Sequence, residues 1–296
     1  MKPPAFEYAR PESLEEALSL LADNPDAKVL AGGQSLIPLL SMRLVAPRLV
    51  VDVNRVAELA YVRAEDDGVR VGALARHAEV AADEGAARVQ PLVGKALRLV
   101  AHPTIRNRGT TVGSIVHADA AAEMPAVLTL LGGHLTVASQ DGTRAIPVDE
   151  LFVGPMECTI QRGELAVEAF FPALRPGQGV AVDEVSRRHG DYALCGVAVL
   201  VDLGASEGAP LALVKAAYLS VCDVPTVVDL TDVYADGISD DGHEAAGELA
   251  LTRLEPQDDI HATSDYRSQL IRTLTRRVVE AAVADARERA MAGSAR

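Results

Sequence analysis

Two short glycine-bearing stretches constrain this chain more than anything else in it: Ala31-Gly32-Gly33-Gln34-Ser35, and Asn107-Arg108-Gly109-Thr110-Thr111-Val112-Gly113-Ser114. The first lies between a strand-like run, 28–31, and apolar residues at helical spacing, Leu36, Ile37, Leu39, Leu40 and Leu44. Adjacent glycines reach backbone conformations that a Cβ forbids and let another group approach the main chain closely. Ser35 is placed to cap the following helix, and Pro38 falls in its first turn, where a missing N–H costs nothing. Such a loop points free amides at whatever lies above it, and phosphate suits them. The plainer reading is a tight strand-to-helix turn without a ligand. Against it stands the second stretch, which repeats the glycines and small hydroxyl residues and leads toward a helix expected over 118–131. Two facing loops suit the two phosphates of a pyrophosphate.

Any such anion must be held locally, because 28 Lys and Arg against 42 Asp and Glu leave a net charge of −14. That balance speaks against nucleic acid and anionic membrane as partners, since both need a basic surface. Arg106 and Arg108 are exceptional positive points beside the second loop, suited equally to phosphate or to an ion pair. The length, 296 residues, predicts two or three domains, and an apolar fraction of 49% is ample for their cores. Residues 1–6 lack the apolar centre of a secretory signal, and no stretch approaches the roughly 20 apolar residues of a membrane span. Cys158, Cys195 and Cys222 lie far apart, and the seven histidines show no paired ligand spacing. The expectation is therefore no metal, cysteines serving as small buried hydrophobes, and a reducing cytoplasm.

Along the chain, 11–22 reads as an amphipathic helix and 49–53 as a strand, completing a βαβ unit. Asp52, about 20 residues past the first loop, mimics a nicotinamide-binding start. That fingerprint is G-x-G-x-x-G, whereas this loop has bulky Leu36 and Ile37 where the last small residue belongs, so Asp52 is read as a strand-end turn residue. A strand over 68–72, helical stretches over 73–84 and 88–100, a hairpin over 135–147 and a strand over 165–171 follow. Pro172, Pro176, Gly177 and Gly179 mark the clearest linker. Beyond it come strands at 180–188, 192–202 and 211–221, then helices over 242–252 and 264–289. Ser264 is the expected cap of the last helix, and Leu270, Leu274, Val278 and Ala281 its packing face.

These residues resemble the FAD-binding (medium) subunit of molybdenum hydroxylases, in particular the aerobic carbon monoxide dehydrogenase medium-subunit type. The resemblance rests on residues 31–39, His102-Pro103-Thr104-Ile105-Arg106-Asn107-Arg108-Gly109-Thr110, His117-Ala118-Asp119 with Ala122-Glu123-Met124-Pro125, Arg187-Arg188-His189-Gly190-Asp191-Tyr192-Ala193, and Ser264-Asp265-Tyr266-Arg267. It implies an α+β fold: a two-lobed, PCMH-like FAD-binding domain (1–55 and 56–175), then a C-terminal α+β domain (180–290) with a three-stranded antiparallel sheet. The FAD pyrophosphate is then expected on Leu30, Ala31, Gly32, Gly33, Gln34 and Ser35 and on Thr110, Thr111, Val112, Gly113 and Ser114. Glu123 is expected at the ribityl or ribose hydroxyls and Tyr192 at the isoalloxazine face. Leu165 and Asp191 complete the set, although an Arg187–Asp191 ion pair explains Asp191 equally well. Val112 stands where the family favours glycine; at positive φ it would cost on the order of 1–3 kcal/mol. Ala120 replaces a family proline.

The resemblance further implies an electron-transfer oxidoreductase subunit with no catalytic side chain and no metal of its own. Its partners would be a small iron-sulfur subunit with 2Fe-2S clusters and a large subunit with the molybdopterin cofactor, where substrate reacts. A dimer of heterotrimers and an external electron acceptor follow from the same pattern. Two other readings stay open at this point: a free-standing flavin oxidoreductase, with only Arg187, Arg188 and His189 as candidates near Tyr192, and a flavin-free assembly subunit.

Overall fold

A computed structural model describes residues 2–204 and 210–294. The N-terminal lobe is built from β1 (Glu7–Ala9), α1 (Leu14–Asp23), β2 (Lys28–Leu30), α2 (Leu36–Ser41) and β3 (Leu49–Asp52). The Ser13 hydroxyl accepts the Glu16 amide and starts α1, which buries Ala17, Leu18 and Leu21. β3, buried along its whole length, lies between β1 and β2 and runs parallel to both. A central strand that is apolar up to its last residue, Asp52, with a crossover helix is what a parallel ladder demands.

The second lobe begins with β4 (Val62–Glu65) and β5 (Gly68–Gly72). Six helices follow: α3 (His77–Ala82), α4 (Glu84–Val89), α5 (Pro91–Leu97), α6 (Pro103–Arg106), α7 (Thr111–His117) and α8 (Glu123–Leu131). β6 (His134–Ser139) and β7 (Gly142–Pro147) form the expected hairpin, β8 (Phe152–Gly154) and β9 (Glu157–Cys158) a small one, and β10 (Leu165–Pro172) closes the lobe. The sheet is antiparallel in the order β4-β5-β10-β6-β7. The helix expected over 88–100 is interrupted, because Gln90 is non-helical before Pro91, whose ring disfavours a helical residue ahead of it.

The C-terminal domain holds β11 (Gln178–Ser186), β12 (Ala193–Asp202), β13 (Leu213–Leu219), β14 (Thr226–Asp229), α9 (Asp240–Leu251) and α10 (Ser264–Ser294). Three strands were expected; the four-residue β14 adds a fourth at the edge of the antiparallel sheet β11-β12-β13-β14. β12 is buried from Ala193 to Val201, an almost unbroken apolar run, because the sheet is covered on both faces. Cys195, Val197, Val199 and Val201 face α9 and α10, while Ala198 and Leu200 join the core of the second lobe. α10 runs past the expected end and is capped by Thr263, whose hydroxyl accepts the Tyr266 amide, rather than by Ser264. Its buried face carries Leu270, Leu274, Val278 and Ala282; Ala281 is exposed. Of the cysteines only Cys195 is fully buried; Cys158 and Cys222 are half-buried.

Domain and lobes are joined by more than the linker. Lys95 of α5 donates to the Val180 carbonyl and to Asp285 of α10, both at 2.7 Å, and Asp285 in turn accepts the Val180 amide at 2.9 Å. Lys95→Met keeps the stem and removes the charge, so it should cost about 2 kcal/mol, the worth of a charged hydrogen-bond pair. The denaturant midpoint of the variant checks this; an unshifted midpoint would show that the apolar seam alone carries the join.

Candidate functional site

The first glycine loop leaves β2 at Leu30 and turns at Gly33, whose φ of 74° belongs to the left-handed region. The helical turn already starts there, with the Ile37 amide bonded to the Gly33 carbonyl at 3.1 Å. Ser35 therefore sits inside that turn with helical angles and makes no side-chain cap, contrary to expectation. The Gln34 side chain donates to the Gly32 carbonyl at 3.0 Å. Among the described residues no acceptor meets the amides of Gly32, Gly33, Gln34 or Ser35.

The second loop is more helical than its sequence suggests. Thr110 caps α7, its hydroxyl accepting the Gly113 amide at 3.1 Å, so a separate helix, Thr111–His117, precedes the one expected over 118–131, which starts at Glu123. The Ser114 amide bonds to the Thr110 carbonyl and the Thr111 amide to that of Ala75. Three of the five expected amides are thus engaged within the protein. Those of Thr110 and Val112 have no acceptor among the described residues. Val112 is a helical residue, 2% exposed and outside the left-handed region, so the strain expected at that position does not arise.

Backbone contact joins the two loops. A Cβ on Gly32 would lie 2.5 Å from the Arg108 carbonyl oxygen and 2.7 Å from the Gly109 Cα. Polar ties reinforce the contact. Asn54 is held by Asp52 at 2.6 Å and donates to the Ala31 carbonyl at 2.9 Å. Arg76 donates to Asn54 at 2.6 Å and to the Arg108 carbonyl at 2.7 Å. Asp52 is the turn residue expected, accepting the Asn54 amide and the Tyr8 hydroxyl. Arg106 serves structure, donating to the carbonyls of Val100 and Ala101. The exposed guanidinium of Arg108 has no hydrogen-bond or ion-pair partner among the described residues.

Beneath the second loop lies buried His77, 3.2 Å from the Thr111 hydroxyl, with its amide on the Gly109 carbonyl. Burial, and then Arg106, push its pKa from the ordinary 6.5 to about 4. Unfolded chains take up this proton first, so stability is complete above pH 6.5 and declines as pH falls toward 4. His77→Asn should flatten that decline; chemical denaturation at several pH values checks it, and parallel wild-type and variant curves would exclude His77 as its source.

The second lobe meets the C-terminal domain where α8 packs on β12 and β13. The turn before α8 is bonded to the end of β13, where the Ser220 amide donates to the Ala120 carbonyl at 2.8 Å. The Ser220 hydroxyl donates to the Ala193 carbonyl at 2.5 Å, beside Tyr192. Tyr192 is 65% exposed and stacks on no ring among the described residues. Burial, the Glu184 carboxylate and then Asp119 push the Glu123 pKa up to about 8. Asp191 pairs with Arg188 at 3.0 Å, not with Arg187. Leu165 is 4% exposed, and its side chain packs in the lobe core. Sequence reasoning missed Asn54, Arg76 and Glu184. Of these only Glu184 left a trace, one of two adjacent acids in a strand that begins with an apolar run at Val180.

Two family models cover nearly the whole chain: the FAD binding domain in molybdopterin dehydrogenase over residues 4–174, and the CO dehydrogenase flavoprotein C-terminal domain over 180–282. The chain is 42% identical to the 6-hydroxypseudooxynicotine dehydrogenase complex subunit alpha of Paenarthrobacter nicotinovorans, covering 97% of each. It is 31% identical to the carbon monoxide dehydrogenase medium chain of Hydrogenophaga pseudoflava, over 95% of this chain and 98% of that one. Among solved structures, quinoline 2-oxidoreductase from Pseudomonas putida 86 superposes with a TM-score of 0.90 at 36% identity, covering 97% of this chain and 99% of its counterpart.

Proposed function

We infer, since this chain belongs to the family of FAD-binding subunits of molybdenum hydroxylases, that FAD lies in the cleft between the glycine loops and the C-terminal domain. The observation that carries this is the close approach of Gly32 to Arg108 and Gly109, beside loop amides with no acceptor among the described residues. These residues fit the group. The amides of Gly32, Gly33, Gln34 and Ser35 receive one phosphate, and those of Thr110 and Val112 with the Arg108 guanidinium the other. Thr111, Gly113 and Ser114 shape the second loop rather than lend it amides. Glu123 accepts ribityl hydroxyls, and the open ring of Tyr192 packs on the isoalloxazine. FAD supplies the redox chemistry when bound. The protein orients it and keeps its phosphates off bulk water.

The chain is an oxidoreductase subunit, and its relatives are named as subunits and medium chains of larger complexes. We read it as carrying electrons from the 2Fe-2S clusters of a small subunit, themselves fed by a large molybdopterin subunit, to an external acceptor. A dimer of heterotrimers in the cytoplasm is the assembly we propose; no helix among the described residues is long and apolar enough to cross a membrane. Co-expression with candidate small and large subunits, followed by flavin, iron and molybdenum analysis, tests the reading. A purified chain that shows no flavin band and takes up no added FAD would refute it.

A further inference from the structure

We propose that Glu184 is a further flavin-positioning residue, set by the C-terminal domain opposite Glu123 so that ribityl hydroxyls bridge the two carboxyl groups. The inference rests on the flavin reading of the cleft. One oxygen of Glu184, Oε2, is enclosed and has no hydrogen-bond partner, alone in this among the buried side-chain polar atoms of the described residues. Native proteins rarely leave such an acceptor unmet. Glu123 is likewise largely enclosed and makes no side-chain hydrogen bond to another described residue. The two come from opposite sides of one seam. Glu123 follows the turn bonded to Ser220, and Ser220 holds Ala193. In the ladder Ala193 faces Ser186, two residues beyond Glu184.

The chemistry of the pair narrows its ligand. Neither acid has a salt-bridge partner among the described residues, while neighbouring Asp183 is taken by Arg277 at 2.8 Å. A metal ion is not favoured, since no three His, Cys, Asp or Glu of the described residues converge. Burial, followed by Asp183, pushes the Glu184 pKa up to about 7, and burial, followed by Glu184, pushes that of Glu123 up to about 8. Near neutrality the pair thus holds both a proton to donate and lone pairs to accept. A polyol, whose hydroxyls both donate and accept, matches that combination.

The test uses the full chain stripped of flavin, titrated with FAD and separately with ADP, which keeps the pyrophosphate but lacks the ribityl chain. Glu184→Ala should weaken FAD binding about tenfold to a hundredfold, the range for hydrogen bonds to charged groups. It should leave ADP binding and the flavin-free melting temperature undiminished, because an unmet acceptor has been removed. Glu184→Gln, which keeps a donor and an acceptor, should recover most of the loss. Unchanged FAD affinity in Glu184→Ala overturns the inference, as does an equal loss for ADP or a lowered melting temperature. A wild-type chain that binds neither ligand overturns the flavin reading and this inference with it.

Discussion

Replacing Gly32 by alanine should give a folded chain that no longer retains FAD. The added methyl would sit 2.5 Å from the Arg108 carbonyl oxygen and 2.7 Å from the Gly109 Cα, both main-chain atoms that cannot swing aside as a side-chain tip can. The loops must part, and overpacking of this kind costs on the order of 3 kcal/mol. If that cost falls on the bound geometry, affinity drops about a hundredfold. Gly33→Ala tests a different property, the backbone angle, and should cost about 1–2 kcal/mol. Flavin content after purification and FAD titration measure both. Wild-type flavin content in Gly32→Ala would mean that the pyrophosphate does not depend on the contact between the loops.

Arg267→Met should be the most damaging single change in the C-terminal domain. Arg267 is only 4% exposed, yet its guanidinium donates to the carbonyls of Leu194, Gln257 and Ala262 and to Asp259 at 2.7 Å. Methionine keeps the apolar stem and leaves those carbonyls unmet, at a cost of about 3 kcal/mol. Because Leu194 is the second residue of β12, two after Tyr192, flavin retention should fall as well. Acid unfolding gives an independent check. Arg267 holds the Asp259 pKa down to about 2, so its stabilisation is complete above the ordinary 3.8 and is lost as pH falls toward 2. The variant should lack this acid limb. A melting temperature within a degree or so of wild type would show that water can replace the guanidinium.

What could be read in advance was what short-range pattern encodes. Gly32 and Gly33 between a strand and an apolar helix, the hairpin of β6 and β7, and the continuous apolar run of β12 each announce themselves within ten residues. Most departures come from chain that is distant in sequence or turn on a single hydroxyl. Thr110 could have begun a helix or remained in a loop; its bond to Gly113 decides, and it converts half of an expected amide cradle into a helical turn. Asn54 and Arg76 bind the two loops together across 23 and 32 residues, and nothing in their local sequence marks them. Glu184 shows only that a strand carries a charge, not which carboxyl lies opposite. β14 was overlooked because four residues are too few to display an alternation.

The linker around Arg175 and Pro176 is exposed, yet the core continues without interruption from α8 into Ala198, Leu200, Ala217 and Leu219. This join is built like the interface of an obligate dimer whose two members happen to share a tether. A nick in that tether would leave two pieces clinging to one another.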